Sequence, residues 1–281
     1  MMLPNRSALP RRRPRRSALG ALAAAALLAL PLGLGTSSAA RAQGVVPIVT
    51  TMGLDSLSCP RSTVRLGVLG DSLADGLWGA VQRALGQCGS VEVLRLTQVS
   101  DGLTHTPPEE WIERFNAATQ STDAQDVFIV QIGANDLRPL RDDRSRVPYG
   151  TPEWDALYAK RVGELAGELA ARADRILWVG LPVVGEGKFE PEYQHVNALI
   201  SQTLTALNLP FHDIRELSRF GAEDFAMNAV VNGNTRQLRA PDKIHFTPLG
   251  YELIAAALAP EIKDAMATRE RKAIFGNAAL Q

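Results

Sequence analysis

The chain has 281 residues, of which 46% are hydrophobic and 21% charged, so it can bury the core of one sizeable domain and is not globally disordered. Its formal net charge is zero, but seven of its 30 basic residues lie in residues 1–42, which contain no acid. Residues 43–281 therefore hold 23 basic and 30 acidic side chains, a net charge of −7 that argues against nucleic acid as a partner.

The first 42 residues have the pattern of an export signal. Five arginines within residues 11–16 precede an apolar run over residues 18–35, and Ala40-Arg41-Ala42 follows as a small-x-small cleavage site. We therefore expect a signal peptide over residues 1–42, cleavage near its end, and a periplasmic or secreted protein without a stable membrane span. An uncleaved anchor helix is the alternative, because the run has 18 residues. The pair Arg15-Arg16 leaves twin-arginine export open.

Cys59 and Cys88 are the two cysteines of the chain. In an exported protein such a pair predicts a disulfide bond, the alternative being two separate buried thiols. Two cysteines without a nearby histidine cluster cannot complete a zinc site. Since no other His, Asp and Glu residues have metal-ligand spacing, we expect neither a metal nor a cofactor.

Strand and helix patterns alternate along the rest of the chain. Apolar or alternating runs predict the strands, and apolar spacings of three or four predict the helices between them. The predicted strands are Val64–Leu69, Val91–Leu96, Val127–Ile132, Ile176–Leu181 and Phe211–Ile214. The predicted helices are one through Leu77, Val81 and Leu85, then Trp111–Ala118, Trp154–Ala171, Tyr193–Leu207 and Leu249–Leu258, the last with Thr247 as N-cap and Pro248 at its first position.

This alternation predicts one α/β domain, a three-layer α/β/α sandwich around a parallel five-stranded sheet. We expect the domain to cover residues 61–270, after an irregular segment over 43–60 and before a C-terminal tail over 271–281. In such sheets ligands bind beyond the carboxyl ends of the strands, so polar residues that directly follow strands are the functional candidates.

Two short motifs directly follow predicted strands, and a third lies just before the last helix. Gly70-Asp71-Ser72-Leu73 follows the first strand and places Ser72 at a helix N-terminus, although alone it could equally be a helix cap. Gly133-Ala134-Asn135-Asp136 follows the third strand, and its Asn is either an amide donor or a turn residue. Asp242-Lys243-Ile244-His245 precedes the last helix, so that Asp242 could orient His245 as a base, although an ordinary surface histidine is the alternative.

In order and placement these motifs resemble those of the SGNH (GDSL) hydrolase superfamily over roughly residues 64–260. Within it, residues 178–182 and 245–251 are most similar to a group of exported bacterial proteins. The resemblance implies a flavodoxin-like fold and an esterase that works through an acyl-enzyme. An α/β-hydrolase elbow, Gly-x-Ser-x-Gly, is absent because Ala74 stands two residues after Ser72.

The resemblance also implies a role for each motif residue. Ser72 is the nucleophile, His245 the base and Asp242 the acid that orients it. The oxyanion hole would consist of the N–H of Ser72, the N–H of Gly102 and the side-chain amide of Asn135.

A polar rim is predicted around these motifs. Leu137–Trp154 is long for a connection between a strand and a helix, and we expect it to form one wall of the cleft beside Asn135. The predicted substrate-binding residues are Asp71, His105, Arg138, Arg141 and Tyr149. The arginines could bind sugar hydroxyls or acidic sugar groups, or they could instead pair with Asp142 and Asp143 in a solvated loop.

The sequence therefore predicts an exported carboxylic ester hydrolase whose partner is an acylated carbohydrate, with O-acetyl groups of a cell-envelope or exported polysaccharide as the expected substrate. Export and the family resemblance carry this substrate prediction. Three alternatives stay open: a polysaccharide O-acyltransferase with the same triad, a short-chain or lipid esterase, and a non-catalytic polysaccharide-binding protein.

Overall fold

The computed structural model of the chain describes residues 48–49, 59–119, 125–142 and 145–275. The strands in chain order are β1 (Ile48–Val49), β2 (Val64–Gly70), β3 (Val91–Thr97), β4 (Gln125–Gln131), β5 (Leu140–Asp142), β6 (Ser145–Val147), β7 (Ala173–Val179), β8 (Phe211–His212), β9 (Asn228–Val231) and β10 (Asn234–Gln237). The α-helices are α1 (Ser72–Leu85), α2 (Pro108–Thr119), α3 (Pro152–Ala170), α4 (Glu190–Ala206), α5 (Pro248–Ala257) and α6 (Ala259–Phe275), and a 3-10 helix covers Leu217–Arg219.

Five strands form one sheet in the order β3-β2-β4-β7-β8, and all neighbouring pairs in it are parallel. Numbered along the chain within this sheet, the order is 2-1-3-4-5, the flavodoxin-like arrangement. Parallel neighbours need a crossover connection, which α1, α2, α3 and α4 supply in turn. The predicted parallel five-stranded sheet is confirmed.

Helices cover both faces of this sheet, which completes the predicted three-layer sandwich. On one face, Leu66 and Val68 of β2 belong to the same buried cluster as α1, α5 and α6. On the other face, Phe128 and Val130 of β4 belong to a second cluster with α2, α3 and α4. A strand that is buried on both faces is apolar at nearly every position, which explains the continuous run that predicts β4.

Several elements were not predicted. The long segment after Asn135 contains the antiparallel hairpin of β5 and β6. A small separate sheet joins β1, β9 and β10. The segment over 43–60, which was predicted to be irregular, therefore contains a short strand. Strands of two to four residues are too short for a hydrophobic period to reveal them.

A further helix, α6, follows the last predicted helix. Pro260 occupies the first turn of α6, where its missing N–H would have no helical partner anyway. The helix continues to Phe275, beyond the expected start of a tail at residue 271.

The predicted export signal lies outside the described residues. Within the described part, no helix is both long enough and apolar enough to cross a bilayer.

Cys59 and Cys88 form a disulfide bond, with their Cα atoms 5.4 Å apart. Cys59 lies shortly before β2, and Cys88 lies in the turn between α1 and β3. The hydroxyl of Ser90 in this turn donates to the carbonyl of Pro60 at 2.6 Å, which fixes the two segments beside each other. The predicted disulfide is confirmed, and it lies at the amino-terminal edge of the sheet.

Replacing both cysteines by serine is expected to lower the free energy of unfolding by about 3–4 kcal/mol, because the bond closes a loop with a sequence separation of 29. Urea titrations of the oxidised protein and the double variant measure this difference. Any activity at the opposite edge of the sheet should be unchanged. Equal unfolding free energies would contradict a stabilising role for the bond.

Candidate active site

The loops that carry Ser72 and Asn135 leave neighbouring strands at the same edge of the sheet. β2 lies beside β4, and Gly70 is paired with Gln131 at their carboxyl ends. The strand order reverses at this point, since β3 lies on one side of β2 and β4 on the other. Open α/β sheets bind ligands at such a switch point. The structure therefore brings the first and third motifs together where a ligand is expected.

Ser72 is the first residue of α1, and the residues before it fix its position. Gly70 has a φ of +141°, and a Cβ atom there would lie 1.9 Å from the carbonyl oxygen of Gln131, so only glycine fits. Asp71 is the helix N-cap, whose Oδ1 accepts the N–H of Leu73 at 2.9 Å. Because Asp71 caps the helix, the hydroxyl of Ser72 is free for another partner.

That partner is His245. Its Nε2 lies 2.7 Å from Ser72 Oγ, and its Nδ1 lies 2.7 Å from Asp242 Oδ2. The other carboxylate oxygen, Asp242 Oδ1, accepts the backbone N–H groups of Ile244 at 2.9 Å and His245 at 3.0 Å. Lys243 takes a φ of +60°, which turns the backbone tightly enough for the acid to reach a ring three residues later. The three predicted triad residues thus form one hydrogen-bonded chain.

The charge of Asp242 selects the tautomer of His245. Partial burial raises the pKa of this carboxyl, but hydrogen bonds from the Ile244 backbone and from His245 outweigh burial and hold the pKa below its ordinary value. An ionised carboxylate only accepts hydrogen bonds, so the ring proton is on Nδ1. The lone pair of Nε2 then faces the Ser72 hydroxyl, which is the arrangement that a general base requires.

The two other predicted oxyanion donors lie on adjoining loops. The Nδ2 of Asn135 donates to the carbonyl of Asp101 at 3.0 Å, and since an amide nitrogen carries two hydrogens, one donor is left over. The N–H of Gly102 donates to Asp101 Oδ1 at 2.8 Å. Gly102 could therefore bind an oxyanion only after Asp101 gives up this bond.

The prediction that Asp71 contacts the substrate was wrong. Its side chain is 0% exposed, and Oδ2 accepts the backbone N–H groups of Gly133 at 3.1 Å and Ala134 at 2.9 Å. Burial raises the pKa of Asp71 to about 7, against the opposing effect of these backbone donors. Asp71 thus joins the Ser72 loop to the Asn135 loop from the interior of the protein. A motif at a strand end looks the same in sequence whether its acid binds backbone groups or a ligand.

Asp136 was not predicted as a functional residue, and it holds the Gly102 loop. This fully buried carboxylate accepts the N–H groups of Leu103 and Thr104, the Thr104 hydroxyl and, at 3.0 Å, the Tyr158 hydroxyl. A Cβ atom on Gly102 would lie 2.3 Å from Asp136 Oδ1, so the close approach requires glycine. In the sequence, only the position of Asp136 within the motif Gly133-Ala134-Asn135-Asp136 could have indicated a functional role. Tyr158 shows nothing beyond the apolar periodicity of its helix.

The predicted rim residues separate into two groups. Exposed Arg138 donates from Nε to the carbonyl of Asn135 at 2.7 Å, and its Nη1 lies 2.6 Å from His105 Nε2. His105 and Arg141 also line a cavity of about 760 Å³ between α2 and α3. Tyr149 instead donates its hydroxyl to Glu192 of α4 and does not line this cavity, so the structure does not group it with the other rim residues.

The sheet order and the carboxyl-edge motifs define the SGNH hydrolase fold. A GDSL-like lipase from Bacteroides thetaiotaomicron has the same fold at 14% identity and a TM-score of 0.50, over 75% of this chain and 94% of that one. An alpha/beta hydrolase enzyme from the metagenome of Lake Arreo, Spain, matches at 16% identity and a TM-score of 0.50, over 76% and 98% of the two chains.

The chain belongs to the family described as "Protein of unknown function (DUF459)", whose sequence profile matches residues 65–261. This range contains all three motifs and extends from β2 into α6. No curated protein sequence matches the chain.

Proposed function

We propose that the protein is a serine carboxylic ester hydrolase. The observation that carries the proposal is the chain of two 2.7 Å hydrogen bonds from Ser72 through His245 to Asp242. A nucleophile bonded to a base that is itself oriented by a carboxylate is the arrangement that activates serine for covalent catalysis. It lies at the switch point of the sheet, where a ligand can reach it.

The proposed reaction has two halves. His245 Nε2 takes the proton of Ser72 as its oxygen attacks the ester carbonyl, and the tetrahedral oxyanion receives hydrogen bonds from the Ser72 N–H and the Asn135 amide. The protonated ring then gives its proton to the departing alcohol, which leaves an acyl-enzyme. Water attacks this acyl group in the same way, so that the carboxylic acid leaves and Ser72 regains its proton.

Hydrolysis of p-nitrophenyl acetate by the purified protein tests the reaction class. Transfer of the acetyl group to an added sugar, with little free acetate, would indicate an acyltransferase that uses the same residues. If neither product forms although the protein is folded, the site binds ligands without catalysis and the proposal fails.

Asn135→Ala is expected to lower kcat by about 10²–10³-fold, because it removes one oxyanion donor. The fold should persist, since Asn135 follows β4 and its amide makes only a bond to the Asp101 carbonyl. Steady-state kinetics with p-nitrophenyl acetate measures the loss, and circular dichroism checks the fold. A loss below about threefold would show that Asn135 is a turn residue and not an oxyanion donor.

The proposed substrate class is O-acetylated carbohydrate of the cell envelope or of an exported polysaccharide. The disulfide supports an exported protein, because such bonds persist in oxidising compartments. The cavity between α2 and α3 shares His105 and Arg141 with the predicted rim, and its lining extends along α3 to Glu168. From Leu157 to Glu168 the helix rises about 16 Å, so the cavity could accommodate an extended chain and not only an acetyl group.

The lining of this cavity suits sugar. Its residues are His105, Pro107, Pro108, Glu109, Ile112, Glu113, Leu140, Arg141, Leu157, Lys160, Arg161, Glu164 and Glu168. Charged groups alternate with apolar ones, which matches the hydroxyls and C–H faces of a glycan. The guanidinium of Arg161 is bound to the carbonyls of Leu103 and Arg141, so part of the positive charge is already engaged. A neutral glycan therefore fits this cavity better than a polyuronate, whose carboxylates the glutamates would repel.

Activity is expected to fall steeply from acetate through butyrate to octanoate esters, because the predicted rim is polar. Glu113→Gln should lower deacetylation of an acetylated neutral glycan several-fold and leave p-nitrophenyl acetate hydrolysis unchanged, since only the larger substrate reaches Glu113. Glu92→Gln, an exposed change on β3 outside this cavity, is the matched control. A preference for octanoate would favour a lipid-ester substrate over a polysaccharide.

A further inference from the structure

Arg239 is a fully buried cation without an acidic partner in the described part of the chain. Its relative exposure is 0%, and no carboxylate there lies within ion-pair distance of its guanidinium. Burying a charge without a counter-charge is costly unless hydrogen bonds compensate for the lost water. Arginine at this position therefore needs an explanation beyond filling the core.

The guanidinium of Arg239 connects three separate segments through their carbonyl groups. Nη1 donates to Ile244 at 2.9 Å, and Nη2 donates to Val183 and, at 3.1 Å, to Ser218. Ile244 immediately precedes His245, Val183 lies after β7, and Ser218 lies in the 3-10 helix. One planar side chain thus joins the triad loop to two parts of the fold that carry none of the triad.

Aromatic rings enclose the same guanidinium. Its Cζ lies 3.9 Å from the ring centre of Phe246, 5.1 Å from that of Phe225 and 6.0 Å from that of Phe220. Ring faces attract a cation electrostatically, and more so where water is absent, so they replace part of the missing counter-charge. Phe246 directly follows His245, which places this contact at the triad loop as well.

The side chains of the triad loop make their bonds within the loop or near the surface, since Asp242 binds the Ile244 and His245 N–H groups and Lys243 lies 3.5 Å from Glu186. Asp242 and Lys243 are exposed, and His245 is only half-buried. Backbone bonds close the loop from Ala240 N–H to the His245 carbonyl at 2.9 Å and from Gly185 N–H to the Lys243 carbonyl at 3.0 Å. The bond from Arg239 to Ile244 is the side-chain contact from the interior that reaches the backbone between Asp242 and His245.

We propose that Arg239 is a positioning residue that keeps Asp242 and His245 in line with Ser72. This inference rests on the proposed esterase function, since alignment matters only if these three residues catalyse. The side chain touches neither substrate nor reacting atoms, and it acts through the Ile244 carbonyl and the Phe246 ring. Lysine cannot replace it, because an ammonium is a compact charge and lacks the planar fork that spans carbonyls on two sides.

The test compares Arg239→Lys, which keeps the charge, and Arg239→Met, which removes it, with Leu169→Ala. Leu169 is fully buried near the end of α3 in the cluster on the opposite face of the sheet, so its truncation lowers stability without touching the triad loop. Each variant is assayed well below its own melting temperature with p-nitrophenyl acetate. A proton NMR spectrum reports the far-downfield resonance of a hydrogen shared between His245 and Asp242.

Both Arg239 variants are expected to lose about 10- to 100-fold in kcat with little change in KM, the size of effect that misplaced catalytic groups produce. Both should also lose or broaden the downfield resonance, whereas Leu169→Ala should melt earlier and keep kcat and the resonance. The proposal would be overturned if Arg239→Lys kept the wild-type kcat and an intact resonance. If Arg239→Met does not fold, the result for Arg239→Lys decides. If the wild type has the resonance but hydrolyses no ester, the proposed function fails and the positioning role is judged on the resonance alone.

Discussion

Ser72→Ala is expected to reduce the kcat for p-nitrophenyl acetate by about 10⁶-fold, the scale of loss when a triad nucleophile is removed. Attack requires an oxygen whose proton the base can accept, and within the described part of the chain the hydroxyl bonded to His245 Nε2, at 2.7 Å, is that of Ser72. The variant should fold normally, since Asp71 and not Ser72 caps α1. The loss is therefore expected in kcat without a change in the melting temperature.

Ser201→Ala provides a matched control for this substitution. Ser201 is half-buried within α4, as Ser72 is half-buried at the start of α1, and its removal should leave kcat unchanged. Labelling with diethyl p-nitrophenyl phosphate, followed by peptide mass spectrometry, should modify Ser72 alone in the wild type. A Ser72→Ala protein with the wild-type rate would remove this residue from the mechanism.

The sequence predicts Ser72, Asp242 and His245 as one site, and the structure brings these three side chains together, because each motif is local. Asp242 and His245 are three residues apart, and a single turn suffices to join them. Alternating strands and helices then place the ends of the strands before Ser72 and Asn135 at one edge of the sheet, and the observed strand order puts these two strands side by side. Two local patterns and one topological rule therefore contain most of the information about where Ser72, His245 and Asp242 lie.

The residues that support this site could not be predicted in the same way. Asp71 was predicted to bind substrate but is buried, because its oxygens accept backbone N–H groups that only the folded sheet brings near. Asp136, Tyr158 and Arg239 follow the same logic, since the partners of each lie far away in the sequence. A buried polar residue is recognisable only once its surroundings are known.

Asp242→Asn is expected to reduce kcat by about 10⁴-fold while the fold persists, because the tautomer of His245 changes. Asp242 Oδ2 accepts the proton on Nδ1, and an amide nitrogen in its place would present a hydrogen to that atom. The ring proton would then move to Nε2, the atom that must accept a proton from Ser72. Assays with p-nitrophenyl acetate measure the loss, and exposed Asp213, whose Oδ1 accepts the Arg215 N–H at 2.8 Å, provides the control Asp213→Asn with full activity.

The dependence of activity and stability on pH should report the lowered pKa of Asp242. Hydrogen bonds outweigh partial burial and hold the pKa of Asp242 below its ordinary 3.8, so the acid stays ionised well above that pH and its own protonation should not lower kcat/KM there. The same depressed pKa adds stability that is present above pH 3.8 and is lost only as the pH falls through the lowered value.

An Asp242→Asn protein with full activity at neutral pH would show that another group orients His245, and the hydrogen-bonded chain would then not be the catalytic triad.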